Sequence, residues 1–100
     1  MKIAFVYNDY NDIRGISTVM QVAERYATNS NKGEFWVNTS NNPSIGFSDG
    51  SIVSVLPVSK GLSSLKEYDK VYIDETVFTF VDTTNFSNKI EVYNKNSFKN

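Results

Sequence analysis

An α/β fold is what three features of this chain predict: an unbroken apolar stretch at the N-terminus, a helical repeat directly after it, and a second apolar stretch that stops on two carboxylates. Lys2-Ile3-Ala4-Phe5-Val6-Tyr7 is apolar without alternation. Such runs suit strands covered on both faces, as in a parallel sheet. From Ile16 the apolar positions are Ile16, Val19, Met20, Ala23, Tyr26 and Ala27, the i, i+3, i+4, i+7 spacing of a helix with one buried stripe. Lys70-Val71-Tyr72-Ile73-Asp74-Glu75 repeats the character of the first strand and ends in charge. A right-handed crossover then lays the helix on one face of the sheet. The expectation is a small two- or three-layer sandwich with a mostly parallel sheet of about five strands, one main helix at 16–28 and a β-hairpin at 45–56.

The elements follow in order. Asn8 to Gly15 is polar and reads as a loop. Ser17 suits a helix N-cap, and Thr28-Asn29-Ser30-Asn31-Lys32-Gly33 suits a stop. Glu34 to Asn38 is a short strand, and Thr39 to Ser44 a loop. Ile45 to Val55 reads as a hairpin around Asp49-Gly50, a dipeptide favoured where a turn needs positive φ. Leu56-Pro57 closes it. Ser59 to Lys66 has room for one helical turn, with Lys60-Gly61 as a loop. Lys70 to Asp74 is the next strand. In Thr76 to Asn88, Val77, Phe78, Phe80 and Val81 fit a short helix, while the Thr and Phe content fits an extended stretch. Lys89 to Tyr93 is the last strand, and 97–100 reads as a frayed tail after a single domain at 1–96. Phe35, Trp36, Phe78, Phe80 and Phe86 are expected in the core or an interface.

Bulk properties bound the function. The 100 residues suit one domain, long enough to bury roughly two thirds of its unfolded surface. An apolar fraction of 40% supports a core. The net charge of −1 offers no general grip on phosphates, so nucleic acid is not indicated as a partner. The chain has neither Cys nor His. Disulfides, thiolate chemistry and the commonest general base are therefore excluded. Any catalysis rests on carboxylates, Lys, Arg, Tyr or hydroxyls. The first apolar run is too short for a signal-peptide core, and no stretch approaches the ~20 apolar residues of a membrane span. The expected location is cytoplasmic. An Asn- and Ser-rich chain with much Lys, Ile and Tyr suggests an AT-rich genome, and a small chain of this kind suggests a virus, which would place it in the host cytoplasm.

Two constellations carry chemistry. In Asp12-Ile13-Arg14-Gly15-Ile16-Ser17-Thr18 a helix N-terminus presents free N–H groups and the positive end of its dipole. Gly15 permits a tight turn, Arg14 adds charge, and the Ser17 and Thr18 hydroxyls can bind phosphate or metal. Asp74 and Glu75 put two carboxylates at the carboxyl end of a strand, where open α/β sheets keep their ligands. The plain alternatives are a helix start and the polar end of a strand.

Arg14-Gly15-Ile16-Ser17-Thr18 resembles the Walker A tail R-G-K-S-T of P-loop ATPases, and Val71 to Glu75 resembles Walker B. Between them, Phe47-Ser48-Asp49-Gly50-Ser51-Ile52, Ser59-Lys60-Gly61-Leu62 and Asp69 to Glu75 are similar to a run in viral DNA-packaging terminases and related helicase cores. The resemblance spans about residues 2 to 94. It implies that Asp74 would hold Mg²⁺ through water and Glu75 would orient the attacking water. Ile16 stands where the family has Lys, and Tyr10 or a neighbour where it has its first Gly. Losing that Lys removes a charge-assisted contact of roughly 1.5–3 kcal/mol, so hydrolysis is expected to be lost. The first unit also looks like the N-terminal half of a glycosyltransferase. A flavodoxin-like arrangement, with Tyr10, Trp36 or Tyr72 against a flavin, is a further reading.

The expected function is binding. The chain reads as a small viral-type accessory protein that inhibits or modulates a macromolecular partner on a catalytically degenerate nucleotide-binding-like scaffold, with no cofactor. The alternatives are a nucleotide-binding or NTP-hydrolysing protein that takes Mg-nucleotide at Arg14, Gly15, Ser17, Thr18, Asp74 and Glu75, and a glycosyltransferase-like or flavodoxin-like binding domain. A protein partner is expected, and open sheet edges leave room for a homodimer.

Overall fold

Four consecutive residues of the first strand, Ile3 to Val6, are buried, because the strand is covered on both faces. The computed structural model describes residues 1–10, 15–79, 81–82, 84 and 88–99. In chain order these form β1 (Lys2–Tyr7), α1 (Gly15–Asn29), β2 (Phe35–Asn38), β3 (Ser44–Phe47), β4 (Ile52–Pro57), two 3-10 turns (Val58–Lys60 and Ser63–Glu67), β5 (Lys70–Asp74), α2 (Glu75–Phe78) and β6 (Ile90–Tyr93). The sheet has six strands in the order β2-β3-β4-β1-β5-β6. β1 pairs in parallel with β4 and β5, and β5 with β6. The hairpin partner β3 runs antiparallel to β4, and β2 antiparallel to β3. The sheet is thus mixed: a parallel half with an antiparallel ribbon on one flank. The hairpin turns where Asp49-Gly50 predicts it, with Gly50 at φ +90° and the Asp49 carboxylate accepting the Ser51 N–H at 2.7 Å.

Two cores cover the two faces. On the first, α1 lays Val19, Val22, Ala23 and Ala27 over Ile3, Phe5, Ile45, Phe47, Val53 and Val55, joined by Tyr72 and Tyr93. On the second, Ala4, Val6, Val71 and Ile73 lie under Val58, Leu65 and Val77. The 3-10 turns reach only this parallel half. Across the antiparallel half the second face is open, and Trp36 is 60% exposed there. The molecule is therefore three layers at one end and two at the other.

Several boundaries differ from expectation, each for a physical reason. α1 begins at Gly15, so Ser17 lies in the first turn rather than capping it. Gly15 is buried against the end of β1: a Cβ there would lie 2.8 Å from the Asn8 carbonyl oxygen and 3.2 Å from the Tyr7 ring. Its role is close helix–strand packing. After Asp74 the chain forms the single turn of α2, in which Phe78 is exposed; Phe80 and Phe86 lie outside the described residues. The stretch from Lys95 to Phe98 lies against α1. Arg25 donates to the carbonyls of Ser97 (2.8 Å) and Lys95 (2.7 Å), and the Asn29 amide donates to that of Phe98 at 2.8 Å. Phe98 adopts φ +63°, a left-handed conformation costly for a bulky residue. The gain is a ring set edge-on to Tyr26 at 5.4 Å and to Tyr72 at 5.5 Å.

Gly15→Ala is expected to destabilise the fold by about 1–3 kcal/mol through overpacking, although Ala is the better helix former. Urea unfolding measures this, and an unchanged or higher midpoint would refute the packing role. A second expectation concerns alkali. Tyr72 stacks on Phe5 at 4.7 Å, and burial, reinforced by Tyr26 and Glu91, pushes its pKa up to about 12. Burial also pushes Tyr93 up, helped by Asp74 and Tyr7. A phenol with a raised folded pKa stabilises fully below its unfolded value, and the benefit goes as pH climbs through the folded one. Stability should hold to about pH 10 and fall between about pH 10 and 12. Tyr72→Phe should flatten that fall in a series of denaturation midpoints; an identical alkaline slope would contradict the assignment.

Candidate functional site at the carboxyl edge of the sheet

All four parallel strands end at one edge, on Tyr7, Pro57, Asp74 and Tyr93. Taken in chain order they stand 2-1-3-4 across the sheet. The chain leaves β1 for one side and, after β4, crosses to the other. The switch point therefore lies between β1 and β5, where the loops after these strands diverge and open α/β sheets form a crevice.

A polar relay spans this point. Asn8, 7% exposed, donates from its amide to Thr76 Oγ1 at 3.2 Å. Its Oδ1 accepts the Tyr10 N–H at 3.0 Å. Thr76 Oγ1 donates in turn to Asp74 Oδ1 at 2.8 Å, and the Thr76 N–H donates to the same oxygen at 2.8 Å. Asp74 is thus the N-cap of α2. The sheet side of the crevice is plugged by Tyr93, whose buried hydroxyl donates to the Val6 carbonyl at 2.9 Å. Further along the edge, Asp9 ties β1 to the turn after β4. It accepts the Ser59 N–H at 3.0 Å and the Ser59 hydroxyl. Burial would raise the Asp9 pKa, but these hydrogen bonds outweigh it and hold the carboxyl below its usual range.

The sequence-predicted residues divide. Thr18, Asp74 and Glu75 line one hollow of about 290 Å³, together with Thr76, Asn94 and Asn96. Ser17 does not join them. It lines a separate hollow of about 370 Å³ with Met20, Thr39 and Pro43, between α1 and the β2–β3 connection. Gly15 is a packing residue, and Arg14 lies outside the described residues. A divalent cation in the Thr18 hollow would find two carboxylates and two threonine hydroxyls, but also Lys95, whose ammonium opposes a cation. Among the described residues no cluster of three or more Asp, Glu, His or Cys is placed to hold a metal. Sequence reasoning missed Asn8, Asp9 and Thr76. A signal for the first two was present, since Asn8-Asp9 follows the last apolar residue of β1 directly. Thr76 gains its place only through the switch-point geometry.

No family model, curated protein or solved structure matches the chain. The candidate site accordingly rests on geometry alone.

Asp74→Ala is expected to cost about 0.5–2 kcal/mol by removing the cap. Asp74→Asn, which keeps an acceptor oxygen, should cost less. Thr76→Val combined with Asp74→Ala should cost less than the sum of the single changes, because both belong to one network. Denaturant unfolding of the cycle tests this, and strict additivity would dismantle the relay.

Proposed function

We propose that the chain acts by binding a protein partner at its carboxyl edge, as a small accessory or inhibitory protein of viral type, without turning over a substrate. One observation carries the reading. Tyr10, Ile16 and Phe78 are large apolar side chains exposed at 62%, 39% and 43%, and each stands on a segment that borders this edge. Exposed apolar groups gathered at one end of a small domain favour a protein interface, and aromatic residues are the usual anchors of such contacts. The chemistry at the same edge points the same way. Asp74 is engaged in capping α2, and Ile16 occupies the position where the resemblance calls for a phosphate-binding Lys. No helix among the described residues is long and apolar enough to cross a membrane, so a partner in solution suits the reading.

The second reading is a Mg-nucleotide or flavin phosphate in the hollow shared by Thr18, Asp74 and Glu75. Its support is the meeting of these three residues beside the switch point. The two readings separate experimentally. Affinity capture should return a specific partner with the wild-type chain and with Asp74→Asn, and lose it with Tyr10→Ala/Phe78→Ala, although that variant remains folded. Mg-ATP, GTP and FMN should leave the melting temperature unchanged. A ligand present at 100 times its Kd adds about 2.7 kcal/mol, which in a domain of this size is a rise of roughly 10 °C. Such a rise, abolished by Asp74→Ala, would replace the first reading with the second.

A further inference from the structure

The open face of the antiparallel half holds a broad hollow of about 810 Å³. It uses none of the carboxyl-edge residues discussed above. Trp36, Asn38, Ser44, Gly46 and Ile52 are among its lining residues. By register, Trp36 opposes Gly46, Asn38 opposes Ser44, and Gly46 opposes Ile52, so these side chains share one face of the sheet. Trp36 and Ile52 are 60% and 39% exposed. The indole rests on the Gly46 backbone: a Cβ at Gly46 would lie 2.8 Å from Cε2 and Cζ2 and 2.9 Å from Nε1. Glycine inside a strand is destabilising relative to Ala. Here it lets the ring settle onto the sheet and leaves its outer face bare. No charged side chain lines the hollow, and its polar groups are hydroxyls, an amide and backbone.

We propose that this hollow binds a neutral glycan, with one pyranose ring stacked on the Trp36 indole. A pyranose presents a face of C–H groups ringed by hydroxyls. The C–H face fits a bare aromatic ring, and the hydroxyl ring meets Asn38 and Ser44, the next pair along the same face beside the indole. The absence of charge in the lining selects a neutral ligand. Single-stranded nucleic acid also stacks on aromatic rings, but it requires a basic groove along its phosphates, and the lining supplies none. Apolar protein segments need a continuous apolar surface, whereas Trp36 and Ile52 are set among Ser, Asn and Gly. The indole is held in place before the ligand arrives, so little ordering is needed on binding.

The test is a proton–nitrogen NMR titration of the full chain with neutral hexasaccharides of glucose, N-acetylglucosamine, xylose and mannose, each to ~10 mM, a range that reaches weak binding. Oligothymidylate and an oligo-uronate serve as charged controls. At least one neutral sugar should give saturable shifts at the Gly46 and Ser44 amides and the Trp36 indole N–H, and neither control should do so. Trp36→Leu still covers Gly46 but lacks the flat ring, so it should keep the remaining spectrum and weaken binding by at least about tenfold. If Trp36→Leu does not fold, Asn38→Ala should weaken the same shifts through its lost hydrogen bond. The proposal is overturned if no neutral sugar shifts these amides, if the variants bind undiminished, if oligothymidylate binds in preference, or if sedimentation shows a dimer with Trp36 buried between its copies.

Discussion

Everything in this fold hangs on β1 being covered on both faces and paired on both edges. A strand in that position must be apolar at every residue, must satisfy its backbone from two neighbours, and must have something packed above and below it. Ile3 and Phe5 face α1, while Ala4 and Val6 face the 3-10 turns. The neighbours β4 and β5 are parallel to it, so each must return through a crossover rather than a tight turn. That requirement places α1 and the antiparallel ribbon on the way to β4, and the 3-10 turns on the way to β5. It also puts the switch point at the one spot where the central strand ends.

This constraint explains which parts of the fold are legible from sequence. Continuous apolar runs at 2–7 and 70–74 are what a doubly covered strand demands, and the helical stripe is what a cover for one face demands, although its buried members are Val19, Val22, Ala23 and Ala27 while Ile16, at its expected start, is exposed. Both follow from burial, and burial writes itself into residue type. The ribbon is legible for another reason: Asp49-Gly50 carries its own backbone preference. What stays hidden depends on contacts distant in sequence. Nothing local in 94–99 announces that Arg25 and Asn29 hold it, or that Phe98 takes a left-handed conformation to reach Tyr26 and Tyr72. Gly15 is visible as a glycine. Its reason, contact with the Asn8 carbonyl, is visible only in three dimensions.

The candidate site obeys the same division. Thr18 and Asp74-Glu75 are separated by more than fifty residues, and parallel pairing brings the ends of β1 and β5 together regardless of what stands there. Their meeting is therefore a consequence of topology, and only their chemistry can argue for a ligand. Ser17 and Thr18 illustrate the limit of motif reading. Adjacent residues on a helix point about 100° apart, so they line different hollows, and a motif that treats them as one unit needs a loop geometry that recruits both.

Asp74 shows how a residue can carry a catalytic outline and a structural task together. α2 begins immediately after β5, with no loop between them, so its first N–H groups emerge at the sheet edge and need an acceptor. The last residue of the strand is the nearest one available, and Asp is well suited because its short side chain reaches back to the Thr76 N–H. Asn8 extends this bond across the switch point through Thr76 Oγ1, tying the ends of the two central strands together. A carboxylate committed to two hydrogen bonds from one threonine already has its charge partly satisfied, which lowers what a cation gains by binding it. Function on such a scaffold is favoured where large side chains are exposed: the apolar rim around the carboxyl edge and the indole on the opposite half of the sheet.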